Sequence, residues 1–278
     1  MTISPTTVAR RAGATTSPRV TTGFVQSVLL TGRSLRTLAR VPAYLAITLV
    51  QPAIWLLLFG QLFKSIVDIP GFQAHGSYLV FLTPGVIVMT ALFSSGWAGT
   101  SYIDDMNIGV MDRTLASPVR RGAMVAGTLA YQAVTTIIQT LVVFGIAYAA
   151  GARFLDAATG IPITIVATVL LSLVIASLSG GVALLVRQQE ALIGISQFIV
   201  LPLQFMSSAL IDLRVAPQWL QDIARFNPVD WAVVASREAL GTSTDWSAVL
   251  GRMGLLAALA VVMATLASQA FRTYQRSL

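Results

Sequence analysis

Cysteine is absent from this 278-residue chain. That excludes a disulfide framework and all thiolate chemistry, whether catalytic or metal-binding. Histidine occurs once, as His75, so no His-based metal cluster can form. Lysine also occurs once, as Lys64; the other basic residues are arginines. Charge of either sign is scarce: 10% of residues are Asp, Glu, Lys or Arg, where soluble domains carry about 25%. Apolar residues are abundant, at 55% of the chain with a mean hydropathy of +0.77. A soluble fold of this size has too little interior to hide that much apolar surface, so the expected solvent is a lipid bilayer.

A spanning helix takes roughly 20 mostly apolar residues. Six blocks meet that requirement: 44–63, 78–101, 122–149, 161–186, 191–210 and 248–270. None alternates in polarity, which excludes a β-barrel. The fold class expected is therefore an all-α integral membrane protein with six transmembrane helices. Residues 1–22 are rich in Thr, Ser and Arg and lack an apolar core. They predict a disordered cytoplasmic tail and not a signal peptide. Residues 23–278 form one transmembrane domain.

The net charge of +7 follows the membrane topology. With both ends placed in the cytoplasm, the inner segments hold twelve arginines against four acids, a balance of +8. The outer segments hold six basic residues against seven acids, a balance of −1. The positive-inside rule thus places both termini in the cytoplasm. Basic residues scattered between apolar blocks, with no aromatic interleaving, exclude a nucleic-acid partner.

One tetrapeptide points elsewhere. Leu178-Ser179-Gly180-Gly181 matches the heart of the signature motif of ATP-binding-cassette ATPases. It lies inside the fourth apolar block, where no soluble nucleotide domain can form. The sequence also has no G-x-x-x-x-G-K-[ST] loop to cradle phosphates. The expected role is close helix packing through small residues.

Three segments between the blocks carry further pattern. In 24–40, Phe24, Val28, Leu35 and Leu38 share one helical face, and Arg33, Arg36 and Arg40 share the other. That predicts a helix lying flat at the membrane surface. The stretch Asp104 to Gly127 reads "DDMNIGVMDRTLASPVRRGAMVAG". A short helix is expected from about Asp105 to Leu115. Ser117-Pro118 is expected to cap the third span. Met106, Ile108, Val110, Met111 and Leu115 need a surface to meet, which suggests docking. Between Ile211 and Ser247, Pro217 opens a short pattern containing Trp219, Leu220, Ile223 and Phe226. Asn227 then caps a second helix, with Pro228 first and Asp230 third. Two short helices joined by a break predict an extracytoplasmic re-entrant hairpin packed on the spans.

These residues carry a family resemblance. "DRTLASPVRRGAMVAG" resembles the coupling region of type-2 ATP-binding-cassette (ABC) exporter permeases. "LPLQFMSSALIDLRVAPQWLQDIARFNPVDWAVVASREAL" is similar to the outer hairpin of that family, with its Pro-x-Trp-Leu, Asn-Pro and terminal Arg237 elements. The chain resembles most the antibiotic-resistance, daunorubicin-type permeases of actinobacteria. The resemblance implies a bacterial plasma-membrane exporter built from two permeases, identical or paralogous, and a separate ABC ATPase chain in two copies. It implies that ATP and Mg bind that partner, with no cofactor on this chain. It also implies a coupling segment comprising Asp104, Asp105, Met111, Asp112, Arg113, Leu115, Ser117, Pro118, Arg120 and Arg121, with residues 24–40 as an interface helix beside it. "SSALIDL", Ser207 to Leu213, departs from the family's usual proline-containing turn.

The expected function is ATP-driven export of an amphipathic drug-like or lipid-like substrate. The apolar blocks carry amides and no charge at their cores, with Gln51, Gln197 and Gln204 as candidate path residues. Gln51-Pro52 and Leu201-Pro202 mark expected kinks. A secondary transporter of hydrophobic compounds is the alternative, but no intramembrane acid is present to couple protons. The Asp104-Asp105 pair lacks glycine neighbours and is weak evidence for an enzyme.

Overall fold

A computed structural model gives the architecture. It describes residues 27–29, 31, 32, 34, 36, 38, 42–63, 77–111, 121–210, 213, 216–241 and 245–276, with the side chains of 42–46, 121 and 272–276 excepted. The expected tail over 1–22 lies outside the described residues.

Among the described residues the regular elements are all helical. Helix α1, Pro42–Ile54, runs through a single π turn, Trp55–Phe59, into α2, Gly60–Leu62. Pro52 lies inside α1 and removes one backbone donor, so the hydrogen-bond ladder re-registers just beyond it. Helix α3 is Tyr78–Gly96 and α4 is Thr100–Asn107, separated by a turn at 97–99. Helix α5 is Arg121–Ala149 and α6 is Ala157–Val186. Helix α7 is Gln189–Phe205, α8 is Gln218–Ala224, α9 is Pro228–Leu240 and α10 is Trp246–Arg276.

Among the described residues, four helical stretches are long and apolar enough to cross a membrane: Tyr78–Asn107, Gly122–Ala149, Ala157–Val186 and Trp246–Phe271. The first expected block is helical over the shorter apolar stretch Ile47–Leu62. The fifth forms a 17-residue helix, α7, and ends before 210. Its end has a side-chain cause. Asn227 Nδ2 donates to the carbonyls of Leu203 (2.7 Å) and Met206 (2.8 Å), and Ser207 Oγ donates to that of Gln204 (2.7 Å). Carbonyls that no longer find a helical amide are satisfied there by side chains.

The central helix is α6, packed against α10, α9, α3 and α5. Its core joins Leu171, Val174 and Ile175 to Val88, Leu92, Val229, Val233 and Leu256. The apolar window of the α3–α4 stretch is 78% buried, whereas that of α10 is 17% buried. α10 therefore presents most of its apolar surface outward, as a lipid-facing helix does. Asp156 and Asp245 act at the N-termini of α6 and α10. Asp156 accepts from the Thr159 amide (3.2 Å) and Asp245 from the Ser247 amide (3.0 Å). Hydrogen bonds from the Thr159 hydroxyl and amide hold the Asp156 carboxyl below its ordinary pKa. The Ser247 hydroxyl, followed by the Ala248 amide, does the same for Asp245.

The Ser-Gly pair of the fourth block is a helix-packing element. Ser179 Oγ donates to the Gly96 carbonyl (2.6 Å) and accepts from the Gly99 amide (3.0 Å). One side chain of α6 thus satisfies both sides of the α3–α4 break. A Cβ on Gly99 would lie 2.4 Å from the Ser179 carbonyl oxygen, and one on Gly180 would lie 2.8 Å from the Tyr102 ring. Both positions need glycine because the helices approach so closely.

Candidate functional site

Two adjoining cavities lie among α1, α3, α5 and α7. The α1 cavity is about 510 Å³ and reaches Thr48, Gln51, Pro52 and Trp55 on one side and Met89, Phe93 and Gln197 on the other. Among the described residues that line it, none is charged. The α4 cavity is about 390 Å³ and reaches Leu38, Ser101, Asp104, Tyr131 and Gln132. Ser94, Trp97 and Gln139 line both and so form the waist between them.

A directed chain of hydrogen bonds holds this waist. Gln132 Nε2 donates to Ser94 Oγ (3.1 Å), and Ser94 Oγ donates to Gln139 Oε1 (3.0 Å). Gln139 Nε2 makes a long contact to Thr48 Oγ1 (3.5 Å), and Gln132 Nε2 also reaches Thr136 Oγ1 (3.4 Å). Gln132 and Gln139 are seven residues apart on α5 and so share a face. Both are buried. Ser94 and Trp97 stand at the end of α3, where the helix breaks. Trp97 is 45% exposed.

Of the candidate path residues, Gln51 and Gln197 come together in the α1 cavity. Gln204 is buried elsewhere, near the end of α7, and its Oε1 has no hydrogen-bond partner among the described residues. The waist residues Ser94, Thr48 and Trp97 were not anticipated from sequence. A usable signal was there: Gln132, Thr135 and Gln139 recur at i, i+3 and i+7 as a polar stripe on an otherwise apolar helix.

The expected coupling segment is described in part. The helix expected over 105–115 begins earlier, at Thr100, and α4 closes at Asn107. Gly109 stops it by adopting φ +67, with the Ile108 amide bonded back to the Asp104 carbonyl (3.1 Å). Asp104 is exposed and Asp105 half-buried. Met111 is fully buried, in a cluster with Tyr102, Ile103, Leu192 and Phe271. Among the described residues it packs inside this chain, against the end of α10. Asp112, Arg113, Leu115, Ser117, Pro118 and Arg120 lie outside the described residues. Arg121 begins α5. In the surface-helix segment, Arg36 is exposed and Leu38 buried, and Thr31 Oγ1 donates to the Gly127 carbonyl (3.1 Å), tying the segment to α5. Arg33 and Arg40 lie outside the described residues.

The hairpin residues divide into an exposed and a lodged helix. On α8, Trp219 and Phe226 beyond its end are exposed. On α9, Val229, Ala232, Val233 and Ala239 are fully buried against the bundle. Asn227 is the N-cap of α9, accepting from the Val229 amide (2.9 Å), with Pro228 at the first turn. Asp230 turns away from its own helix end and accepts from the Ser208 amide (2.8 Å). Arg237 donates to the carbonyls of Phe81 (3.2 Å) and Ala209 (3.1 Å), with its guanidinium 3.7 Å from the centre of the Phe81 ring. Three polar side chains of one short helix segment thus clamp it to α3 and to the end of α7.

Long apolar helices around an uncharged cavity, with a lodged outer hairpin, describe a membrane transport body. The ABC-2 type transporter family matches residues 25–240. The chain belongs to that family. Among its relatives is the daunorubicin resistance ABC transporter permease protein DrrB1 of Streptomyces coeruleorubidus, 30% identical over 86% of this chain and 83% of that protein. The probable doxorubicin resistance ABC transporter permease protein DrrC of Mycobacterium tuberculosis is 24% identical over 86% of this chain and 85% of its own length. The putative transport permease ycf38 of Porphyra purpurea is 27% identical over 75% and 71%. This ABC-2 chain is accordingly a multi-pass membrane permease subunit of an ABC exporter, and not itself an enzyme. An ABC ATPase is the general partner of such a permease.

Proposed function

We propose that this permease moves an amphipathic drug-like or lipid-like compound out of the cytoplasm or inner leaflet, driven by ATP and Mg bound on a separate ATPase chain. The observation that carries this reading is the α1 cavity of about 510 Å³, whose described lining is mostly aromatic and aliphatic with a few amides and hydroxyls and carries no charge. Such a lining suits a mostly apolar body with a few polar groups. The names of two relatives, which refer to daunorubicin and doxorubicin resistance, support the same class.

In this reading the chain has six spans, with α1–α2 and α7 as the first and fifth, and both termini in the cytoplasm. Two permease copies, or this chain and a paralogue, enclose the path, with Gln51 and Gln197 along it. Two ATPase subunits dock on the segment 104–121 and beside the surface helix, through Leu115 and the charges of Asp112, Arg113, Arg120 and Arg121. Closure of the ATPase dimer moves α4, and the α3–α4 break transmits that motion to the waist. The α8–α9 hairpin caps the outer end.

The experiment is a detergent pull-down of the tagged chain from its native host, paired with ATP-dependent uptake into inside-out vesicles. A cassette ATPase is expected with the native chain and is expected to be lost with Leu115→Asp at equal expression. Undiminished ATP-driven transport by Leu115→Asp would remove the docking assignment.

A further inference from the structure

A run of aromatic rings connects the α1 cavity to the outer hairpin. Trp55 stacks on Phe59, with ring centres 4.7 Å apart and planes 7° from parallel. Phe59 stacks on Phe63 at 5.5 Å, and Phe63 packs edge-to-face with Tyr78 at 5.7 Å. Tyr78 stacks on Phe81 at 6.0 Å, and the Arg237 guanidinium covers the Phe81 ring at 3.7 Å. Trp55 and Phe59 open and close the π turn beyond Pro52, and Phe63 follows four residues on, so the three rings share one side of this helical stretch. The run then passes to α3 and, through Arg237, to α9.

The two ends of the run differ. The far end is held: Tyr78 is buried, and Arg237 is bonded to the Phe81 and Ala209 carbonyls. The near end is Trp55, which lines the α1 cavity where Phe59 does not. Phe59 covers one face of the indole, and among the described residues no ring stacks on the other. Phe93 and Trp97 line the same cavity from the α3 side. Offset stacking on a flat ring gains energy beyond the area it buries, and a ring already fixed in its plane gives up little freedom when a ligand settles on it. A saturated body of the same size gains burial alone. We propose that Trp55 is a specificity-determining residue of this permease: the indole stacks a planar aromatic ring of the molecule that enters the α1 cavity. Phe59 is a positioning residue that fixes the plane of the indole from behind. The cavity therefore prefers flat aromatic amphiphiles to puckered aliphatic ones of equal size.

This inference rests on the cavity being the substrate path, but its test needs neither ATP nor the ATPase. The purified chain in nanodiscs is titrated calorimetrically with 2-naphthaleneethanol and with its saturated counterpart, decahydronaphthalene-2-ethanol. The two share a carbon skeleton and a hydroxyl and differ in flatness and π electrons. Empty nanodiscs give the lipid background. Trp55→Leu is expected to weaken binding of the naphthyl alcohol about two- to tenfold, the worth of one aromatic pair. Binding of the saturated alcohol should be unchanged, which also shows that the variant keeps its cavity. Trp55→Phe should retain part of the aromatic preference. Phe59→Leu should lower that preference by a smaller factor, and Phe59→Tyr should restore it. Equal weakening of both alcohols by Trp55→Leu would mean only a deformed cavity and would overturn the proposal. So would an unchanged preference in Trp55→Leu, or no binding of either alcohol to the native chain. A Trp55-dependent preference in a chain that shows no ATP-driven uptake would uphold this inference and overturn the exporter reading alone.

Discussion

Ser179→Ala is the most informative single change in the packing of this chain. The hydroxyl is buried at 4% exposure and serves two backbone groups at the α3–α4 break, the Gly96 carbonyl at 2.6 Å and the Gly99 amide at 3.0 Å. Alanine leaves both unpaired. Each buried orphan costs about 1–3 kcal/mol. The space cannot be refilled by helix closure, because the backbones are already so near that a Cβ on Gly99 would lie 2.4 Å from the Ser179 carbonyl oxygen. Little solvent reaches the site, so water offers small relief. The expected loss is roughly 2–4 kcal/mol, at the upper range for single substitutions. The assay is reversible unfolding in mixed micelles against SDS mole fraction, with hydrogen exchange read at the Gly99 amide. The exchange readout separates local release of the break from general destabilisation. A loss under about 0.5 kcal/mol with unchanged exchange at Gly99 would refute the claim that Ser179 holds the break, since surface-like effects fall in that range.

Arg237→Ala should cost about 2–4 kcal/mol, because charge-assisted bonds to the Phe81 and Ala209 carbonyls are lost together with the stacking on Phe81. Arg237→Lys should recover part of this, one ammonium being unable to reproduce the guanidinium fork; the same micelle unfolding reads both. The absence of cysteine makes the native chain a clean background for topology. A single cysteine at exposed Phe226 should react with an impermeant maleimide in intact cells, and one at exposed Ile108 only after permeabilisation; the reverse pattern would invert the proposed orientation. Asp156 and Asp245 have depressed pKa values, so their capping stabilises the fold above the ordinary carboxylate pKa and is lost as pH falls through the lowered folded values. The Tm difference between the native chain and the Asp156→Asn/Asp245→Asn variant should therefore be constant near neutrality and shrink below about pH 4. A difference that grows on acidification would contradict the sign.

Legibility in the sequence followed interaction range. Asn227-Pro228 reads directly as a cap and first turn, because the cap reaches only two residues along the chain. The apolar blocks read as helices for the same reason: a 3.6-residue repeat is a local property. The length of α7 was not legible. It stops at Phe205 and not at 210, because Asn227, distant in sequence, takes the carbonyls of Leu203 and Met206. Asp230 read as a second cap residue, but its acceptor is committed to Ser208 across the hairpin. Met111 read as an apolar residue that needs a surface to meet; within this chain the end of α10 supplies one with Phe271.

What the sequence by itself determined is the solvent, the helical class and the family. The first two depend on composition and periodicity, which every residue carries wherever its neighbours lie; the family rests on resemblance in the stretches around Ser117-Pro118 and Asn227-Pro228. The tertiary structure alone decided the waist. Gln132 and Gln139 lie 38 and 45 residues along the chain from Ser94, and no local pattern states that α3 and α5 meet at that height. Their register is set by packing around α6, where Ser179 and Gly180 admit α3 and α4 at close range. In an apolar surround each buried polar group must find a partner, and only the assembled bundle says which one it finds.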